Sequence, residues 1–114
     1  MKYTLTEDHF KYFVDRCEYY KHLLCIPCDI AYTFEIIKAR ADSCVDTSNH
    51  MGNIRLCKTW NMEVDNKNLN TIAFHEICHV LLDTLTTLAG RYYSFEYISE
   101  LEHAVLISLE NLVK

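Results

Sequence analysis

The sequence predicts an α+β fold with an N-terminal helix, a small three-stranded sheet containing a hairpin, and two C-terminal helices. Three observations point to it. Three segments, one near the N-terminus and two in the C-terminal half, carry apolar residues at three- and four-residue steps. Between them lie β-rich runs separated by Asn- and Gly-containing turns. The 114 residues are half apolar and hold only two Gly and one Pro, so the whole chain, 1–114, is expected to form one domain with its own core.

The first helix is expected from Thr6 to Leu24, with Thr6 as N-cap and Glu7 and Asp8 favourable in the first turn. Phe10, Phe13, Val14, Cys17, Tyr20 or His22, and Leu24 form its apolar stripe, so this helix is scaffold. His9 and His22 lie beyond helical-neighbour spacing from each other and read as structural or exposed. Pro27 ends the helix. Cys25-Ile26-Pro27-Cys28 has a redox-type CxPC pattern, but a helix precedes it and a strand follows, the reverse of the thioredoxin order. With no second CxxC to complete a zinc ribbon, it reads as a turn with two half-buried thiols.

Ile30 to Ile37 is a strand by its branched and aromatic residues. Ala41 to Thr47 and Ile54 to Trp60 follow as a hairpin around Ser48-Asn49-His50-Met51-Gly52-Asn53, with His50 exposed at the tip. The alternation in the second run is blurred from Cys57 to Trp60. Met62 to Lys67 is polar, and Asp65 or Asn66 can cap the next helix, Asn70 to Leu88, which should end around Gly90. The last helix runs from Ser94 or Phe95 to Val113.

Net charge is −5 with acids and bases interspersed, and no basic face stands out to neutralise phosphates, which argues against nucleic-acid binding. No run of about 18 apolar residues suits a membrane span. Met1 to Asp8 lacks the apolar core of a signal peptide, giving the expectation of a cytoplasmic protein whose six cysteines are mostly buried thiols.

The chemistry-bearing stretch is His75-Glu76-Ile77-Cys78-His79. On a helix the two histidines project about 40° apart and can reach one metal ion, zinc by preference. Glu76 falls on a neighbouring face, where a general base is wanted and a third ligand is not. Ile72, Ala73, Phe74, Val80, Leu81, Leu82, Leu85 and Leu88 make this a buried helix, in which two His and one Glu need partners. In the last helix Ile98, Leu101, Val105, Leu109 and Leu112 form the core-facing stripe, with Leu106 and Val113 beside it. Glu102 lies on that stripe and is the expected third ligand, with Glu100 as runner-up; Glu96, Glu100, His103 and Glu110 fall toward the opposite side. A closed structural zinc site is disfavoured, because no Cys has suitable spacing to the two histidines.

Phe74-His75-Glu76-Ile77-Cys78-His79-Val80-Leu81-Leu82, followed by Glu100-Leu101-Glu102-His103-Ala104, resembles a minimal zincin metallopeptidase of the gluzincin pattern. It is similar to small phage- and mobile-element-encoded peptidase-like proteins in the style of the ImmA/IrrE group, over roughly residues 30–113. The resemblance implies a zincin-like fold, zinc held by His75, His79 and Glu102, Glu76 as the base toward a water, and hydrolysis of a peptide bond in a protein or peptide substrate. It also implies an oxyanion donor, for which Tyr92, Tyr93 and Tyr97 are the candidates, and a substrate paired along the edge of the strand Ile54–Thr59. The alternative is a catalytically weak or inactive zinc-binding protein that serves as an interaction module, in keeping with a chain too short for a second cleft-forming lobe.

Overall fold

The computed structural model describes residues 2–46, 49–89 and 92–112, without the side chains of 84, 85 and 88. Its element order is β1 (Tyr3–Thr4), α1 (Glu7–Leu23), β2 (Asp29–Glu35), β3 (Ala41–Asp46), β4 (Met51–Cys57), β5 (Thr59–Trp60), α2 (Asn66–Ala89) and α3 (Phe95–Leu112). The class is α+β, with three helices and two small sheets.

Helix α1 begins as expected at Thr6, which accepts from the His9 amide at 3.3 Å while its own amide donates to His9 Nδ1 at 3.0 Å. This is a capping box with His in the place usually held by Glu or Gln, so His9 has a structural duty. Phe13, Cys17 and Tyr20 are buried, and His22 is exposed, which settles the open position of the stripe in favour of Tyr20. The Tyr20 ring meets Phe74 edge-on at 4.9 Å. Tyr20 Oη and Arg16 Nε both donate to Asn70 Oδ1, at 3.0 and 2.7 Å, so the α1–α2 seam carries an aromatic contact and a satisfied polar one. The expected CxPC turn follows: Cys25 is exposed with φ 55°, Cys28 is partly buried, and both are free thiols.

The larger sheet has the order β2-β4-β3, with β4 antiparallel to β3 and parallel to β2. The hairpin is β3–β4, from Ala41 opposite Leu56 to Asp46 opposite Met51, and His50 is exposed beside its tip with φ 54°. Thr47 and Ser48 lie outside the described residues.

Two expectations are corrected. The run Ile54–Trp60 is two strands, because the chain changes sheets at Lys58: its amide donates to Glu35 O at 3.0 Å and its carbonyl accepts from the Leu5 amide at 2.8 Å. Beyond it β5 pairs with β1 in a second, two-stranded sheet, which explains the lost alternation between Cys57 and Trp60. The strand containing Ile54–Thr59 is also not an edge. β4 is central, with Ile54 and Leu56 fully buried, and the edge beside the histidines is β3.

α2 starts at Asn66, ahead of the expected Asn70, with Asp65 as its cap: the Asn68 amide donates to Asp65 Oδ1 at 2.7 Å. Gly90, expected at its C-terminal end, lies outside the described residues, as does Val113. Ser94 caps α3 by accepting from the Tyr97 amide at 3.2 Å, and Ile98 and Leu106 are the buried anchors of that helix. Among the described residues no helix is long and apolar enough to cross a membrane.

Candidate metal centre

The histidines come from the middle of α2, whose other faces are committed to the core. Leu69, Ala73, Ile77 and Cys78 are fully buried, which fixes the rotation of the helix and turns His75 and His79 toward α3 and β3. Their Nε2 atoms lie 3.0 Å apart, with ring centroids at 4.7 Å. Behind the rings, on the Nδ1 side, α3 supplies two carboxylates: Glu102 Oε1 at 2.8 Å from His79 Nδ1, and Glu110 Oε1 at 3.5 Å from His75 Nδ1. All four side chains are between a fifth and about a third exposed, so these are short contacts at the wall of an open cleft.

Glu76 is the buried member of the motif, 6% exposed. Burial pushes its carboxyl above the ordinary carboxylate range; His75, His79 and a hydrogen bond from the Ser43 side chain of β3 act against that, and Asp42 adds to it. The cleft has a volume of about 300 Å³ and lies between the β3 edge and the α2–α3 pair. Asp83, one turn beyond His79, also lines it, and its carboxyl is raised by burial and by the nearby Glu102 charge. Cys78 faces the core, where burial pushes its thiol up to about 12, and it takes no part in the cleft.

Glu102, the expected third ligand, lies at Nδ1 of His79 and not at the Nε2 pair, while the runner-up Glu100 is exposed. The sequence reading of Glu110 and His103 is corrected. Eight residues on from Glu102, Glu110 is rotated by only about 80° and stands behind His75, and the His103 ring lies 6.5 Å from His79. The core-facing stripe is corrected as well: Ile98 and Leu106 are buried and Leu109 is half-buried, whereas Leu101, Val105 and Leu112 are exposed. The face turned to α2 is thus rotated from the expected stripe toward Leu106 and Glu110 by the crossing of the two helices, which no periodicity within one helix reveals. Of the tyrosines considered as oxyanion donors, Tyr93 and Tyr97 line a groove between α2 and α3, Tyr92 is exposed, and none lines the histidine cleft.

A carboxylate at Nδ1 holds the ring proton there and leaves Nε2 as an acceptor. With both rings protonated at Nδ1 the two Nε2 lone pairs would face each other across 3.0 Å, a spacing that a cation between them would satisfy and that a proton on either Nε2 would make a hydrogen bond. Two imidazole ligands of one tetrahedral zinc stand about 3.3 Å apart, so the pair suits a divalent cation as two of its ligands. Among the described residues no group of three or more His, Cys, Asp or Glu is already drawn together as a complete ligand set. Comparison with protein-family models, with curated proteins and with solved structures finds no match for this chain.

Proposed function

We propose that the chain is a zinc-dependent hydrolase of peptide bonds on a minimal, zincin-like frame, acting on a protein or peptide substrate. The observation that carries the reading is Glu76. A carboxyl this deeply buried would ordinarily be paired with Lys or Arg, and none lines the cleft among the described residues; its neighbours are two histidines that face each other through Nε2.

His75 and His79 would hold the ion through Nε2, with Glu102 of α3 orienting the His79 ring from its Nδ1 side and becoming a third ligand only by moving to the Nε2 side. Bound zinc supplies a Lewis acid for the carbonyl and lowers the pKa of water. The residues of the chain do the rest. Glu76, with its affinity for protons raised by burial, accepts a proton from the attacking water and returns it to the departing amine. Ser43 holds the Glu76 carboxylate in place. The outer edge of β3 offers main-chain groups to an extended substrate laid along the cleft.

The test pairs metal content with cleavage. Purified protein should carry close to one zinc per chain, lost in His75→Ala. Zinc-loaded protein incubated with an unfolded protein should release new N-termini, read by mass spectrometry, that disappear with a chelator and in Glu76→Gln. The same termini from Glu76→Gln as from the parent would overturn hydrolysis. Retention of zinc by Glu76→Gln without any cleavage by the parent would favour the interaction-module reading.

A further inference from the structure

Helix α3 buries one face against α2 and leaves a second apolar face open. Tyr97, Leu101, Val105 and Leu112 are 48, 53, 44 and 80% exposed, and the small residues Ala104 and Ser108 complete the same stripe. These six positions span about 100° of the helix surface and none is charged. Ser108 Oγ already donates to Ala104 O at 3.1 Å, so it asks for no outside partner. Alongside runs a mostly apolar groove of about 350 Å³, walled by Leu82, Thr86 and Ala89 of α2 and bordered by Glu102.

We propose that a second copy of this chain covers the stripe, the two α3 helices packing antiparallel about a two-fold axis. The positions mirror one another about a point between Ala104 and Val105. In an antiparallel pair Tyr97 meets Leu112, Leu101 meets Ser108 and Ala104 meets Val105, so large residues stand opposite small ones at the centre, as a self-complementary interface requires. The area suffices: with the groove, the stripe exposes on the order of 500 Å² per copy, at the upper end of what monomers leave open, and two copies bury about 1,000 Å², the threshold for a specific interface. Charge selects the direction. The acids on the outer side of α3, Glu96 and Glu100, lie in its N-terminal half. Antiparallel pairing sets the two Glu100 side chains nine residues apart along the axis, about 14 Å and beyond the screening length of ~8 Å, whereas parallel pairing sets them side by side.

Glu102 borders both the groove and the histidine cleft, but none of the six stripe residues lines the cleft, and the pairing is argued from the stripe without the hydrolase reading.

Sedimentation equilibrium of the full chain from about 1 to about 100 μM tests the pairing. The parent is expected to approach twice 13.4 kDa within that range. Leu101→Glu, and independently Ser108→Glu, should weaken association at least ~100-fold by burying a charge opposite an apolar side chain. Both positions are exposed, so the far-ultraviolet spectrum should be unchanged, and Ser108→Glu, which lines neither groove nor cleft, should also leave zinc content unchanged. Ala104→Leu should also weaken it, because an extra branched side chain overfills the centre, whereas a merely adhesive surface would associate more strongly with one more leucine. A parent that stays monomeric across the range, a mass untouched by both charged substitutions, or tighter association in Ala104→Leu would each overturn the proposal and leave the stripe to a different partner.

Discussion

In the proposed reaction two demands would oppose each other at Glu76, because a base must be able to ionise and burial resists ionisation. Its raised carboxyl pKa means that the folded state holds the proton more tightly than the unfolded one. In the metal-free protein, stability should therefore fall as pH rises from the ordinary glutamate value of 4.5 through the raised one. Glu76→Gln should lack that slope, which urea unfolding across the window in the presence of a chelator would show; parallel curves for the two proteins would contradict it. Glu102 stands behind His79 as an orienting carboxylate stands behind a ligand, and loss of such a partner weakens metal binding about 10–100-fold. Glu102→Gln should weaken zinc by at least that much in a competition titration. A larger loss assigns it to the ion itself, and no loss removes it from the site. The histidine pair and Glu76 were legible in the sequence because their relation is local to one helix. Glu110, His103 and Ser43 were not, since they join the site only through the packing of α3 and β3 on α2.

Among the elements, α3 brings Glu102 and Glu110 to the histidines on few buried anchors. Leu106 is 1% exposed and Ile98 8%, while much of the rest of the helix is open. Leu106→Ala should cost about 2–5 kcal/mol and, by loosening α3, withdraw both Glu102 and Glu110 from the histidines. Zinc affinity should fall in step with the loss of stability, a coupling that an exposed control, Ile107→Ala, should not show. The three helices were readable from apolar spacing, and Ser94, Thr6 and Asp65 mark their starts by cap chemistry. β1 and β5 were not readable. Two residues carry no period, and what makes them strands is the exchange of partners at Lys58.

At the scale of the whole molecule, the class and the hairpin followed from local pattern, but the strand order did not. Nothing in β2 states that its neighbour is β4 and not β3, because parallel pairing is set by the connection and by the surfaces it covers. The cysteine reading divides the chain into inside and outside. Cys17, Cys57 and Cys78 are buried, and burial raises the Cys17 and Cys78 thiols. Alkylation of the native protein should therefore modify Cys25 and Cys44 quickly, with Cys17 and Cys78 protected until denaturant is added, as peptide mapping would show. Rapid labelling of Cys78 would mean that α2 does not pack as described.

The central place of β4 has a consequence in time. β2 is made before β3, yet it has no partner until residues 51–57 exist, so the sheet cannot grow in the order in which the chain emerges. The β3–β4 hairpin must close first and then receive β2 along its open side, which makes β4 the template on which both neighbours register. Ile54 is fully buried at the middle of that strand and is the position at which this order of assembly can be tested. Ile54→Val should slow refolding in stopped-flow measurements by about as much as it lowers stability, whereas Leu106→Ala, in a helix added afterwards, should mainly speed unfolding.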